Sequence, residues 1–315
     1  MGNTCSTCTC GKDDSEFKAE LQYNESEPTS PHDDSLSCGE IIDLAKMYEQ
    51  DIVKIQAWWR GYQVRKLAAF LKKHPLQRED RLPHRFSSGA VYIGQWKGSA
   101  RDGHGTQTWP DGARYEGDWR NNKAHGFGTF WHVDGDVYEG EWQDDKAHGF
   151  GIYKQANGSK YEGQWQFDSQ NGLGREFWVD GSQFEGCYKD GKKHGFGVYI
   201  WSNGNKYEGQ WENNKIKGHG TYLWNDGRQY AGDWLNNCMH GKGTYSWKDG
   251  RQYEGEYYCD KKDGFGTYTW ADGKQYSGYW KHGQQHGAGR IYFVDGSVRS
   301  GEWREGRRLR WTDSL

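Results

Sequence analysis

Over most of the chain, apolar and polar residues alternate with a period of two. In the stretch "YEGDW", Tyr115, Gly117 and Trp119 fall on one side while Glu116 and Asp118 fall on the other. This predicts a strand with aromatics on one face and acids on the other. Stretches such as "GFGTF", "GHGTYLW" and "GKGTYSW" predict a second strand with Gly, Gly, aromatic, aromatic on alternate positions, so each unit reads as a β-hairpin. Glycine inside a strand marks the close approach of something bulky, expected here to be the Trp or Tyr of a neighbouring strand. The pairs Asp111–Gly112, Asp134–Gly135, Asn157–Gly158 and on to Asp295–Gly296 supply turn residues that tolerate positive φ. A different pattern precedes the hairpins. Ile41, Leu44, Tyr48, Ile52, Ile55, Trp59 and Tyr62 follow helical spacing, Ser37–Glu40 fits a capping box, and Pro75 closes the run. One α-helix of about 50 Å is predicted over residues 38–74.

The hairpin pattern repeats. The aromatic that opens "Y-x-G" falls at Tyr92, Tyr115, Tyr138, Tyr161, Phe184, Tyr207, Tyr230, Tyr253 and Tyr276, always 23 residues apart, and Arg299 holds the slot in a tenth, degenerate copy. The "G-x-G" and "DG/NG" pairs keep the same register, and self-similarity of this kind marks a repeat architecture. Stability should come from neighbour-to-neighbour stacking rather than from a globular core.

Composition agrees. Leu, Ile, Val and Phe supply only 42 residues, whereas there are 18 Trp, 21 Tyr and 46 Gly, with a net charge of −3. Low aliphatic content alone would suggest disorder, but the aromatics and the small net charge argue otherwise. No apolar stretch approaches the length of a membrane span, and the first residues lack a secretory core. Seven cysteines, odd in number and unpaired by spacing, point to a reducing compartment.

"YEGDWRNNKAHGFGTF" and its copies resemble the membrane occupation and recognition nexus (MORN) repeat, over roughly residues 89–306. The resemblance implies an all-β, elongated, single-layer antiparallel sheet of hairpins with an open groove, used for protein assembly and sometimes proposed for lipid contact. About twenty strands at ~4.8 Å would make a sheet on the order of 95 Å long. No catalysis is implied, and no cofactor or metal is expected. His125, His148, His194, His240 and His286 recur before "G-x-G", but Asn171, Lys217 and Asp263 take the same slot, so these histidines read as loop structure rather than ligands.

The Trp ladder that includes Trp119, Trp142, Trp165, Trp211 and Trp234 reads mainly as packing, with its open side as the partner-binding groove. A helix is the expected occupant. Glu176 stands where Phe130, Tyr153, Tyr199 and Tyr222 stand in neighbouring repeats. An acid on the aromatic face needs solvent or a basic partner. The outward positions Glu116, Asp118, Glu139, Glu141, Glu162, Glu208, Glu254 and Glu256 disfavour anionic lipid on the sheet and, by flanking the aromatics with acids, nucleic acid as well. Arg299 and Ser300 polarise the last repeat as a cap. Residues 307–315 form a basic tail, expected to be solvated, and 75–88 a linker.

The predicted helix carries "IQAWWRGYQVR", which resembles the IQ motif that binds calmodulin and related EF-hand light chains. The resemblance implies Ile55 as apolar anchor, Gln56 as polar contact, Arg60 and Arg65 as partners of acidic EF-hand surface, and Gly61 as the point of close approach. At the N-terminus, Gly2 with Ser6 fits a myristoylation pattern, and Cys5, Cys8 and Cys10 are available for palmitoylation. Two acyl signals make anchoring stable where one does not. Residues 13–37 read as a disordered acidic spacer within the segment 1–37. Together these features describe a non-enzymatic, membrane-anchored scaffold on the cytoplasmic face of a plasma or ciliary membrane, possible as a homo-oligomer. The competing reading is a structural component of a ciliary or flagellar axoneme, of the radial-spoke kind.

Overall fold

The computed structural model describes residues 78–313. The helix expected over 38–74, with Ile55, Gln56, Arg60, Gly61 and Arg65, lies outside the described residues, as do Gly2, Cys5, Cys8 and Cys10. Among the described residues all regular structure is strand, 22 strands from Glu79–Asp80 to Arg307–Trp311. They fall into two compact units, one ending at Gly174 and one starting at Arg175. Both are antiparallel and built from the same hairpin.

In the first unit, strand Arg114–Arg120 pairs with Lys123–Trp131, setting Tyr115 opposite Phe130, Gly117 opposite Gly128 and Trp119 opposite Ala124. In the second unit, Lys206–Glu212 and Lys215–Leu223 repeat the register, with Tyr207 opposite Tyr222, Gly209 opposite Gly220 and Trp211 opposite Ile216. Between the paired glycines and the Trp the longer strand bulges. The outward side chain of the shorter strand fills that bulge by accepting a backbone N–H. Asp118 accepts from Phe127 at 3.2 Å, Gln164 from Leu173 at 2.7 Å and Gln210 from His219 at 3.0 Å. His125, His148, His194, His240 and His286 therefore lie in strands, beside the bulge, and not in loops as the sequence pattern suggested. Pairing resumes before the "G-x-G" because the bulge absorbs the extra residues.

Two kinds of turn alternate. Within hairpins the turn is a residue pair such as Asn121–Asn122 (φ 50° and 68°) or Asn236–Asn237 (φ 50° and 70°), the positive-φ geometry that matches strand twist. The "DG" and "NG" pairs lie instead in the connections between hairpins, where only the glycine has positive φ. There Gly112 N donates to Trp109 O at 3.0 Å, and Asp111 accepts from the Ala113 amide at 3.0 Å, an Asx turn. In most hairpins the second residue of the tight turn also ties its hairpin to the one before. Asp145 N donates to Ala124 O at 3.0 Å, and its carboxylate accepts from Ala124 N at 2.7 Å. Asn237 makes the same reciprocal pair with Ile216.

The core is a row of tyrosines. Tyr92, Tyr115 and Tyr138 in the first unit, and Tyr207, Tyr230, Tyr253 and Tyr276 in the second, are fully buried. The Tyr115 ring stands edge-on between Trp119 of its own strand (5.0 Å) and Trp142 of the next hairpin (5.3 Å), an arrangement aromatic quadrupoles favour. Its hydroxyl donates to Asp118 O at 2.9 Å, and Trp142 Nε1 donates to Gly128 O at 3.0 Å. Of the two bulky residues expected over the strand glycines it is the tyrosine, which reaches across from the neighbouring strand of the same hairpin: a Cβ on Gly128 would meet Tyr115 Cζ at 2.6 Å.

Both ends depart from the sequence-based expectation. Part of the expected linker is sheet, since Glu79–Asp80 and His84–Arg85 both pair with Val91–Lys97. Much of the expected basic tail is also strand: Arg307–Trp311 pairs with Val298–Arg304, Arg310 bonds Glu302 at 2.9 Å, and the Arg299 and Arg308 guanidinium groups lie 4.2 and 4.1 Å from the Trp311 ring centroid.

The seat beneath the tyrosine yields a direct prediction. Gly128→Ala should lower stability by about 2–3 kcal/mol or more through overpacking, seen as a reduced urea midpoint. At Gly250, where a Cβ meets open space at φ +91°, the alanine variant should lose only about 1 kcal/mol. Equal losses at the two sites would mean that the tyrosine does not define the core.

Candidate functional site

Trp119, Trp142, Trp165, Trp211 and Trp234 are only 2–7% exposed. Each donates its indole N–H to a glycine carbonyl of the preceding hairpin, as Trp211 does to Gly197 at 3.2 Å and Trp234 to Gly220 at 3.1 Å. These rings belong to the core. A molecule lying against the sheet would touch what covers them.

In the second unit, what covers them is another row of aromatics. Trp178, Tyr199, Trp201, Tyr222, Trp224, Tyr245, Trp247, Tyr268 and Trp270 form an unbroken chain of ring contacts, with centroids 4.5–5.7 Å apart. All are half-buried except Tyr245, which is buried. The local structure explains the row. Each Tyr sits near the end of the nine-residue strand, and the Trp two residues later opens the connecting loop on the same face. A backbone bond such as Trp224 N to Arg228 O at 2.9 Å fixes that Trp. The 23-residue period then lays each Trp against the Tyr of the next hairpin. In the first unit the corresponding loop positions are Trp109, His132 and Gln155, so the row there runs through Trp109, Phe130, His132 and Tyr153 and stops at Gln155, which has no ring. Burial lowers the affinity of the His132 imidazole for protons.

Cations reach this face from two repeat slots. Arg228, Arg251 and Lys274 lie 5.0–5.4 Å over the Trp224, Trp247 and Trp270 rings, and a second slot lies opposite the core aromatic. Arg101 occupies it in the first unit, its guanidinium 4.3 Å from the Trp119 centroid. Lys193 and Lys262 occupy it in the second. Glu176, expected to meet solvent or a foreign base, pairs within the chain instead. Its carboxylate accepts from Tyr188 Oη at 2.9 Å and Lys193 Nζ at 3.2 Å, and the Glu176 and Lys193 side chains are 12% and 14% exposed. Proximity explains this, because Lys193 stands where Ala124, Ala147 or Ile216 stand in other hairpins. Lys262 has no such carboxylate. The rings of Tyr268, Tyr253, Trp280 and Trp247 surround its Nζ at 4.4–5.2 Å. Burial, with a smaller contribution from the Arg251 charge, pushes its ammonium down to about 8.

The opposite face carries mixed charge. Lys160 pairs with Glu162 at 2.8 Å and Lys206 with Glu208 at 3.0 Å, half-exposed pairs of small individual worth. Among the described residues no group of three or more His, Cys, Asp or Glu is arranged to hold a metal ion. The half-exposed aromatic row was missed in the sequence reading, which followed the more regular "Y-x-G-x-W" Trp. The signal was nevertheless there: a Trp two residues after the second strand's Tyr in four repeats, at Trp201, Trp224, Trp247 and Trp270.

Nine segments, 92–114, 115–137, 138–160, 161–183, 184–206, 207–227, 230–250, 253–275 and 276–298, match the MORN repeat. Residues 49–68 match the IQ calmodulin-binding motif. No curated protein matches the sequence. Among solved structures, the chain is similar to the TCP domain of SAS-4 from Drosophila melanogaster, in complex with a proline-rich motif of Ana2. The identity is 10%, over 49% of this chain and 84% of that chain, with a TM-score of 0.33. It is also similar to a mutant TCP10 domain of CPAP from Danio rerio, at 11% identity over 74% and 100% of the two chains and a TM-score of 0.26. Likeness at this level carries no argument about function.

The two lysines give opposite expectations. Glu176→Gln strands a buried ammonium, so the denaturation midpoint should fall by an equivalent of about 2 kcal/mol, less than for a fully buried pair. Adding Lys193→Met should restore most of that loss. Lys262 binds its proton less tightly folded than unfolded. Stability should therefore rise as pH goes from about 8 toward the ordinary lysine range, and Lys262→Met should flatten that rise while raising stability at pH 7. Denaturation midpoints across this range check both.

Proposed function

Because the chain belongs to the MORN-repeat family, we propose that it is a membrane-anchored scaffold holding a protein partner on the aromatic row of its second unit and calmodulin, or a related EF-hand light chain, on its IQ motif. The matched modules are interaction modules without catalytic chemistry. One observation carries the reading: a continuous run of Trp and Tyr, all but Tyr245 half-exposed, linked ring to ring. Aromatic surface of this kind is what interfaces enrich, and contiguous exposed apolar strips mark interaction sites.

In this reading Ile55 anchors in the apolar groove of an EF-hand lobe, Gln56 bonds the lobe linker, Arg60 and Arg65 meet its acids, and Gly61 allows close approach. Acyl chains on Gly2 and on Cys5, Cys8 or Cys10 hold the chain to a cytoplasmic membrane face. Calcium, acting through calmodulin, then alters what the sheet can hold.

The three attachments should be separable. In cells, Gly2→Ala should release the protein from membranes into the soluble fraction. Arg60→Ala with Arg65→Ala should abolish co-precipitation of calmodulin, and Trp224→Ala with Trp247→Ala should abolish capture of the sheet's partner, each leaving the other two attachments intact. Retention of wild type and Gly2→Ala alike with the cytoskeleton after detergent would replace the membrane scaffold with an axonemal component.

A further inference from the structure

The Glu176 site is a filled example of a site that recurs, unfilled, farther along the same sheet. Tyr188 lies opposite Lys193 across its hairpin, and their donors converge on the Glu176 carboxylate. Three repeats later Tyr257 lies opposite Lys262 in the same register, while the position corresponding to Glu176 is Tyr245. The Tyr245 hydroxyl is engaged elsewhere, accepting from Arg228 at 3.3 Å. Among the described residues no hydrogen bond or ion pair reaches Tyr257 Oη or Lys262 Nζ. The rings around Lys262 stabilise its charge but supply no acceptor, and the nearby Arg251 adds charge of the same sign. Trp247, Tyr268 and Trp270, half-exposed, flank the position.

We propose that Lys262 and Tyr257 form a carboxylate-binding pocket in the aromatic row, taking an Asp or Glu side chain from an apolar, acidic segment of the partner protein. That segment lays its apolar residues across Trp247 and Trp270 and turns its acid inward, completing at Lys262 the arrangement that Glu176 completes at Lys193. Charge complementarity selects the occupant, because the Lys262 ammonium favours an anion, the Tyr257 hydroxyl adds a second donor, and the filled example shows that a carboxylate fits such a pair. The proposal rests on the reading of the aromatic row as the partner site, and it adds the chemistry that the partner must present.

The test uses the full-length chain and random peptides displayed on phage. Selected peptides should combine aromatic or aliphatic residues with an Asp or Glu at a fixed spacing. Calorimetry on the tightest peptide should show at least about tenfold weaker binding to Lys262→Met, the loss expected for a charge-assisted bond, and a few-fold weaker binding to Tyr257→Phe. Replacing the peptide's acid by its amide should cost wild type a similar factor and cost Lys262→Met little further. Denaturation midpoints confirm that both variants fold. Peptides selected without an acid, or acidic peptides that bind Lys262→Met as tightly as wild type, overturn the pocket. If Trp247→Ala still weakens those peptides, the aromatic row survives as the partner site. If it does not, or if no peptide is selected, both ideas fall.

Discussion

Everything in the sheet depends on one contact: a tyrosine ring seated on two glycines and held edge-on between two indoles. In the Tyr115 hairpin the seat is Gly117 and Gly128, and the walls are Trp119 and Trp142. The glycines must lack a Cβ because the ring occupies that space. The second wall belongs to the next hairpin, so no hairpin completes its own core. A sheet of this kind is stabilised by adjacency, with each unit closing the one before it. The reciprocal bonds from Asp145 to Ala124, or from Asn237 to Ile216, fix the spacing of successive hairpins at their turn ends.

The same constraint sets aside a surface for other work. Once the regular Trp are inside, with the indole N–H of Trp119, Trp142, Trp165, Trp211 and Trp234 bonded to a carbonyl, the face above them is free to vary. The first unit puts Trp109, His132 and Gln155 in the loop slot, and the second puts Trp178, Trp201, Trp224, Trp247 and Trp270 there. Only the second thereby acquires a continuous aromatic row. At the slot opposite the core aromatic, charge is satisfied unevenly: Lys193 by Glu176, Lys262 by aromatic rings alone. Uneven satisfaction in an otherwise regular array is where function is most readily located, since repetition supplies an internal standard for what each slot normally contains.

The strands, their pairing into hairpins and the facing of Tyr115 and Trp119 were legible from alternation and period, because both are properties of consecutive residues. What depended on distance along the chain was not. The repeating pairs such as Asp111–Gly112 look like hairpin turns, yet Asn121–Asn122 makes the tight turn, since both of its residues take positive φ and Asp111 does not. The histidines near "G-x-G" looked like loop residues because a bulge cannot be seen in a string that alternates on either side of it. Glu176 stands out in the sequence as an acid on the aromatic face, where solvent or a foreign base is the expected answer, but its partner, Lys193, comes from the following hairpin, and only the folded chain brings the two together. The half-exposed Trp row escaped notice for a similar reason, as it is regular only from the fourth repeat onward.

The tryptophans of the second unit divide their labour between a buried set and a half-exposed set, a claim that residue-resolved hydroxyl-radical footprinting of the full-length protein can check. Trp201, Trp224 and Trp247 should oxidise readily in the free protein and become protected in the presence of a bound partner, while Trp211 and Trp234 stay protected throughout. Equal oxidation of the two sets, or protection of the first set before any partner is present, would contradict the claim.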